Sequence, residues 1–399
     1  MNSLLDQLHP YPFEKLNAFI KDINPPEDLD LISLALGEPK HRAPDFIIER
    51  YGDIEAIAQS FGTYPPTKGL PELREAIASF VTRRNNLNRA IDPNTQVLPV
   101  NGTREALFAI AQTVVDGASN QITLMPNPFY QIYEGAAILA GSTPRYIPCS
   151  ESNGFNPDFS GVSDDEWRRC SLVYICTPGN PSGAVMSIAD LQLLIKKSDE
   201  FDFVIASDEC YSEIYASSPP PGLLEAASAM GRDDYKNCIA LNSLSKRSNL
   251  PGLRSGYACG DAVILQRFLL YRTYHGSAMA IQNQWVSTLA WQDEAHVISN
   301  RKLYTEKYEV FMSILENVWP MKRPEASFYL WPKVPIADDE FAKKLLSYAN
   351  VKVLPGRYLS REVDGENPGE GRVRLALVAS VDECAKAANR IKTIWHKLQ

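Results

Sequence analysis

Lys246 has a less ordinary chemical setting than a typical solvated lysine. Ser243 and Ser245 precede it, Arg254 follows eight residues later, and Pro251-Gly252 turns the chain between them. Two hydroxyls, an amine and a guanidinium beyond one strand can hold a phosphate dianion beside a nucleophilic nitrogen. Asn101-Gly102-Thr103-Arg104 opens the apolar helix pattern EALFAIAQTVV. It offers free backbone N–H groups and the positive end of a helix dipole to the same kind of anion. Asp208 closes an apolar run and opens DECY. Taken singly, each feature also fits a plain role: a helix start, a strand cap, a solvated lysine. Neither GxxxxGK[ST] nor GxGxxG occurs, so the phosphate belongs to something other than a P-loop nucleotide or a Rossmann dinucleotide.

These residues share a position. From about residue 95 the chain alternates short apolar or β-branched runs with longer helical patterns, which predicts a mainly parallel sheet with helices on both faces. The strand candidates are 96–100, 121–125, 171–176, 203–207, 238–242 and 255–259. Ligands of such sheets bind beyond the carboxyl ends of the strands. That is where NGTR, MPNPFYQIY, TPGNPSG, DECY and SLSKRSNLPGLRSG fall. Residues 277–319 lack both Pro and Gly and predict one or two long helices, stopped by Pro320. Beyond them a strand at 326–331, a helix at 338–349, strands near 350–354 and 372–377 and a helix from Val381 predict a small α+β domain. The expected division is an N-terminal segment 1–40 packing on the small domain or on a partner subunit, a large domain 41–285 and a small domain 286–399.

Composition narrows the class. A chain of 399 residues with 45% hydrophobic residues hides about three-quarters of its unfolded surface and needs no staples. A net charge of -8 argues against a general nucleic-acid binder or electrostatic membrane attachment, so an anionic substrate needs cations gathered locally. No apolar run approaches a membrane span, and the N-terminus lacks a basic region followed by an apolar one, which predicts a soluble, cytoplasmic protein. Seven cysteines without a CxxC pair and five scattered histidines predict neither a disulfide framework nor a metal site.

An amine that can hold an aldehyde as an imine, a buried carboxylate that can keep a pyridine nitrogen protonated and an anion site nearby point to pyridoxal 5'-phosphate chemistry. Lys246 supplies the first function and Asp208 the second. With these motifs in this order, the sequence resembles the class I/II aminotransferases of the fold-type I pyridoxal phosphate enzymes, from Gly37 to about Ala379. The resemblance implies a large domain with a mainly parallel sheet plus a smaller α+β domain. It makes Lys246 the cofactor-bearing lysine and the base acting at the substrate Cα, and Asp208 the partner of the ring nitrogen. Tyr211 and Asn180 become donors to the cofactor's phenolic oxygen, and Tyr130 the aromatic that stacks on its ring. The phosphate is then held by the backbone of Gly102, Thr103 and Arg104, by Ser243, Ser245 and Arg254, and by Tyr64 of a second subunit. Arg374 is the grip on the substrate α-carboxylate, and Gly37 lies at the pocket edge, where a side chain would crowd the substrate. The family's shared active sites imply a homodimer.

Within that family, LHPYPFEKL, GEPKH, NPFYQIYEGAA and SLSKRSNLPGLRSG are similar to the N-succinyldiaminopimelate aminotransferases. This implies glutamate as amino donor and a place in diaminopimelate and lysine synthesis. Lys40, His41 and Arg42 are then candidates for the substrate's distal carboxylates, Arg42 foremost. One departure is Ala326-Ser327-Phe328, where many relatives carry glycine before the aromatic. The alternatives on the same fold are an aminotransferase for aspartate, alanine or aromatic amino acids, a decarboxylase, a synthase or a C–S β-lyase. A non-catalytic ligand sensor is the alternative of a different class.

Overall fold

The computed structural model describes residues 1–399. In chain order its strands are β1 (Ile32–Ser33), β2 (Val97–Val100), β3 (Ile122–Asn127), β4 (Thr143–Pro148), β5 (Cys170–Cys176), β6 (Val204–Asp208), β7 (Cys238–Ser243), β8 (Gly256–Gly260), β9 (Tyr329–Leu330), β10 (Val351–Lys352), β11 (Leu354–Pro355) and β12 (Val373–Ala376). Seven of them form the large sheet in the order β2-β8-β7-β6-β5-β3-β4. Only β8 runs against the rest, pairing antiparallel with both β2 and β7. The ends of β2, β3, β5, β6 and β7 therefore emerge along one edge.

Along β2, β5 and β6 successive side chains enter opposite cores, as a sheet covered on both faces requires. Val97, Val173 and Ile205 pack with Leu73, Phe80, Leu191 and Trp291 on one side. Leu98, Tyr174 and Ala206 pack with Leu107, Ile110, Tyr133 and Phe268 on the other. The sequence reading found six of the seven strands and missed β4. That strand lies at the sheet edge, is partly exposed, and carries Pro144 and Arg145, so it has no apolar run to reveal it.

The Pro- and Gly-free stretch forms two helices, Ile281–Gln292 and Ala295–Leu315. The break needs neither residue, because Asp293 Oδ1 accepts the N–H of His296 at 3.0 Å and starts the second helix. That helix begins with Val297 buried and ends with Tyr308, Phe311 and Leu315 in a separate core with Phe341, Leu375 and Ile391. In this smaller unit β12 pairs antiparallel with β9 and β11, covered by the helices Asp338–Ala349 and Val381–Ile394. Two expected strands are shorter here. Of 326–331 only β9 is a strand, Ala326 bridging Tyr215 instead, and 350–354 divides into β10 and β11.

Part of the N-terminal segment is built into this small unit. Strand β1 pairs in parallel with β10, and Ile32 and Leu34 enter its core. Upstream, Leu16 of the helix Pro12–Ile20 packs against Trp331, Leu354 and Leu359 of the same chain.

Candidate active site

Strand register explains why the motifs meet. Gly256 is the Cα partner of Val100 on one side and of Ser243 on the other. The residues just past β2 and β7 and those just before β8 therefore lie side by side: Asn101-Gly102, Ser245-Lys246 and Arg254. Asp208 ends β6 opposite Cys176, where β5 leads into TPGNPSG. A cavity of about 510 Å³ opens here, lined among others by Gly37, Thr103, Arg104, Tyr130, Asn180, Asp208, Tyr211, Ser245, Lys246, Arg254 and Arg374.

Lys246 sits in the short helix Leu244–Arg247, and its Nζ donates to the backbone carbonyl of Gly37. Burial, together with the Arg374 charge, lowers its ammonium to about 8, partly offset by Cys210. Asp208 is buried, which raises its carboxyl above the usual range. Its hydrogen bonds come from neutral donors, the Tyr133 hydroxyl at 2.8 Å and the Cys210 N–H at 3.3 Å. A cation at the cavity side would complete its coordination. Arg374 donates Nη1 to Asn180 Oδ1 at 2.9 Å and Nη2 to the Ala35 carbonyl at 2.8 Å, while its buried Nε has no partner. The Tyr211 and Tyr329 hydroxyls lie 3.0 Å apart, and the Arg374 guanidinium stacks over the Tyr329 ring at 4.4 Å.

The uncapped helix start at Gly102 and Arg254 lie together at the cavity. Gly102 starts the helix Thr103–Val114 at φ 82, with no side-chain cap on the first N–H groups. Glycine fits that positive φ, and a Cβ there would lie 2.3 Å from Arg254 Nη2 and displace the guanidinium. Arg254 is held by Nη1 to the Pro251 carbonyl at 2.8 Å. The Thr103 hydroxyl is engaged by Cys210 Sγ at 3.0 Å, leaving its backbone N–H for the anion.

Several expected residues take other places. Ser243 does not line the cavity. Its Oγ accepts the Ser245 N–H at 3.0 Å and lies 2.8 Å from Ser245 Oγ, so it orients Ser245, which does line it. Arg42 also lies outside the lining, exposed and paired with Asp45 at 2.8 Å; Lys40 is exposed, and His41 turns inward. A Cβ on Gly37 would meet Tyr329 Oη at 2.1 Å, so what a side chain there crowds first is Tyr329 rather than substrate. Tyr64, expected to act from a second subunit, is 98% exposed and does not line its own chain's cavity. Tyr130 lines it, its hydroxyl accepting from Arg104 Nε at 2.8 Å.

The sequence reading missed Tyr329, Tyr133, Tyr11 and Glu38. Tyr329 and Tyr133 look like core aromatics, and Tyr133 could have been found only from its place one helical turn after Tyr130. Glu38 follows Gly37 directly and was legible.

The donor set fits pyridoxal phosphate. It holds a half-buried amine of lowered proton affinity, a buried carboxylate lacking a cationic partner and an uncapped helix start beside an arginine. Comparison with known proteins agrees. The model of the family "Aminotransferase class I and II" matches residues 30–391. The chain is 31% identical to the LL-diaminopimelate aminotransferase of Aquifex aeolicus, over 98% of both chains. Among solved structures it is similar to an aminotransferase from Neisseria meningitidis Z2491, with 47% identity, a TM-score of 0.93 and coverage of 99% of this chain and 100% of that one. The aminotransferase AspB of Helicobacter pylori 26695 follows at 34% identity and a TM-score of 0.89, covering 98% of this chain and 99% of that one. A sheet whose parallel ends bring Lys246 and Asp208 to one cavity, with Arg374 of β12 facing it from the small unit, matched over nearly the whole chain, places the protein in the class I and II aminotransferase family, as a fold-type I transaminase that uses pyridoxal phosphate.

Proposed function

We propose that the protein exchanges an amino group between glutamate or 2-oxoglutarate and an amino acid with distal carboxylates, N-succinyl-LL-2,6-diaminopimelate. The observation that carries this reading is the division of cations around the cavity. Arg374, with its unpartnered Nε, suits the α-carboxylate, and Arg254 beside the helix start at Gly102 suits the cofactor phosphate. Arg104 then remains at the rim, held by the Tyr130 hydroxyl, for a carboxylate further out. The names of the curated relatives, LL-diaminopimelate aminotransferases, support the same carbon skeleton.

When bound, pyridoxal phosphate supplies an aldehyde that holds the amine and a ring that withdraws electrons from Cα. Lys246 would hold the aldehyde carbon and, once displaced and neutral, would be the base that takes the proton from the substrate Cα. Asp208 would keep the ring nitrogen protonated. Asn180 and Tyr211, which line the cavity, would serve the cofactor's phenolic oxygen, and Tyr130 would cover its ring. The site is completed by a second copy of the chain. Tyr64 reaches over from it, on a stretch where Ile54 and Phe61 are also 73% and 74% exposed. Seven cysteines, all free and mostly buried, suit the reducing cytoplasm.

The lowered Lys246 gives a pH prediction. The amine must be neutral to join the aldehyde, so the rate at which added pyridoxal phosphate loads the apoprotein rises with pH around a midpoint near 8. Stopped-flow absorbance checks this. A rate that climbs only toward the ordinary lysine value of about 10.4 contradicts it.

The substrate is tested by kcat/KM across a donor panel with 2-oxoglutarate as acceptor. N-succinyl-LL-diaminopimelate should exceed LL-diaminopimelate, aspartate and alanine by about tenfold or more, the factor expected for one added charge-assisted contact. A higher value for LL-diaminopimelate would move the assignment to the free diamine, and pyruvate release from cystathionine would favour the lyase.

A further inference from the structure

His41, expected to meet substrate, instead faces the interior. Its Nε2 lies 2.5 Å from Lys307 Nζ and its Nδ1 2.8 Å from Asn300 Oδ1. Lys307 is 1% exposed; its other acceptor is the Val378 carbonyl at 3.2 Å, and the Tyr304 ring lies 4.8 Å away. Asn300 Nδ2 donates to the backbone carbonyls of Lys246 and Arg247, both at 3.2 Å. Asn249 donates to Asn300 Oδ1 at 2.7 Å.

The direction of this chain is fixed by its chemistry. An ammonium only donates, so His41 Nε2 accepts from Lys307; Nδ1 then carries the ring proton and donates to Asn300, whose amide donates onward. His41 is thereby held neutral, and burial followed by the Lys307 charge lowers its imidazole to about 4. Burial likewise lowers Lys307 to about 8; the other ionisable groups acting on it are Cys384, Glu383 and Lys40. A buried ammonium without a carboxylate partner is costly. Here it ties together four separate pieces: the segment carrying Gly37, the helix Ala295–Leu315, the small unit at Val378, and the turn of Lys246.

We propose that Lys307, His41 and Asn300 are positioning residues that fix the Lys246 turn, and the Gly37 carbonyl facing its Nζ, relative to the small unit. The proposal rests on the reading of Lys246 given above. If it is right, His41→Phe and Asn300→Leu in the holoenzyme each lower kcat for the glutamate half-reaction about tenfold, with KM within twofold. Each also shifts the pH midpoint of the cofactor absorbance band by about half a unit or more. Because the residues act in series, the double variant is no worse than the poorer single one. His41→Gln, which keeps a donor and an acceptor, restores most of the loss and serves where His41→Phe melts too low to assay. Wild-type kcat and midpoint in the single variants, or effects that multiply in the double variant, would overturn the proposal. A holoenzyme band that survives Lys246→Ala unchanged would instead strike the Lys246 reading, and this proposal with it.

Discussion

Replacing Lys246 by Ala is expected to lower steady-state transamination by about 10⁴-fold or more while leaving the melting temperature within a few degrees. The substitution removes two functions at once: the nitrogen that tethers the aldehyde, and the base within reach of Cα, which alone is worth about 10²–10⁴. Free substrate amine can still condense with the cofactor, so a half-reaction stalls rather than failing to begin. The fold should tolerate the change, because the only side-chain hydrogen bond lost is the one to the Gly37 carbonyl. Steady-state assays with glutamate, beside a thermal melt, check both parts. Appreciable turnover in a folded variant would refute the assigned role.

Asp208→Asn is expected to lower kcat by about 10²–10³, the loss of about 3–4 kcal/mol typical of removing one preorganised electrostatic partner. The reasoning is specific to its surroundings. An asparagine can keep its Oδ1 toward the Cys210 N–H, and its Nδ2 can face the Tyr133 oxygen, so the site stays filled and hydrogen-bonded. What disappears is the negative charge, held in a buried setting where it acts strongly on a ring nitrogen. Single-turnover kinetics read this directly. A near wild-type rate would remove Asp208 from the chemistry.

The parts of this molecule legible in its sequence share one physical property. Strands β5, β6 and β7 are covered on both faces and so read as apolar runs, and the residues following them converge because those strands are parallel. Edge strand β4 lacks that signature, with Pro144 and Arg145 in a partly exposed run. Side-chain direction was equally hidden. Lys40, His41 and Arg42 are adjacent basic residues in sequence, yet His41 enters the interior while Arg42 pairs with Asp45 at the surface. Lys307, among the charged residues of a long helix, gives no sign that it is the buried member of that cluster. Tyr329 likewise reads as one more core aromatic until its hydroxyl is found 3.0 Å from Tyr211 and its ring under Arg374.

The central claim, that the cofactor is carried at Lys246, is most directly tested by borohydride reduction of the holoprotein followed by peptide mass mapping. A phosphopyridoxyl group fixed on the peptide that contains Lys246, and on no other, is the predicted result. A group fixed on a different lysine, or a protein that takes up none at all, would contradict it.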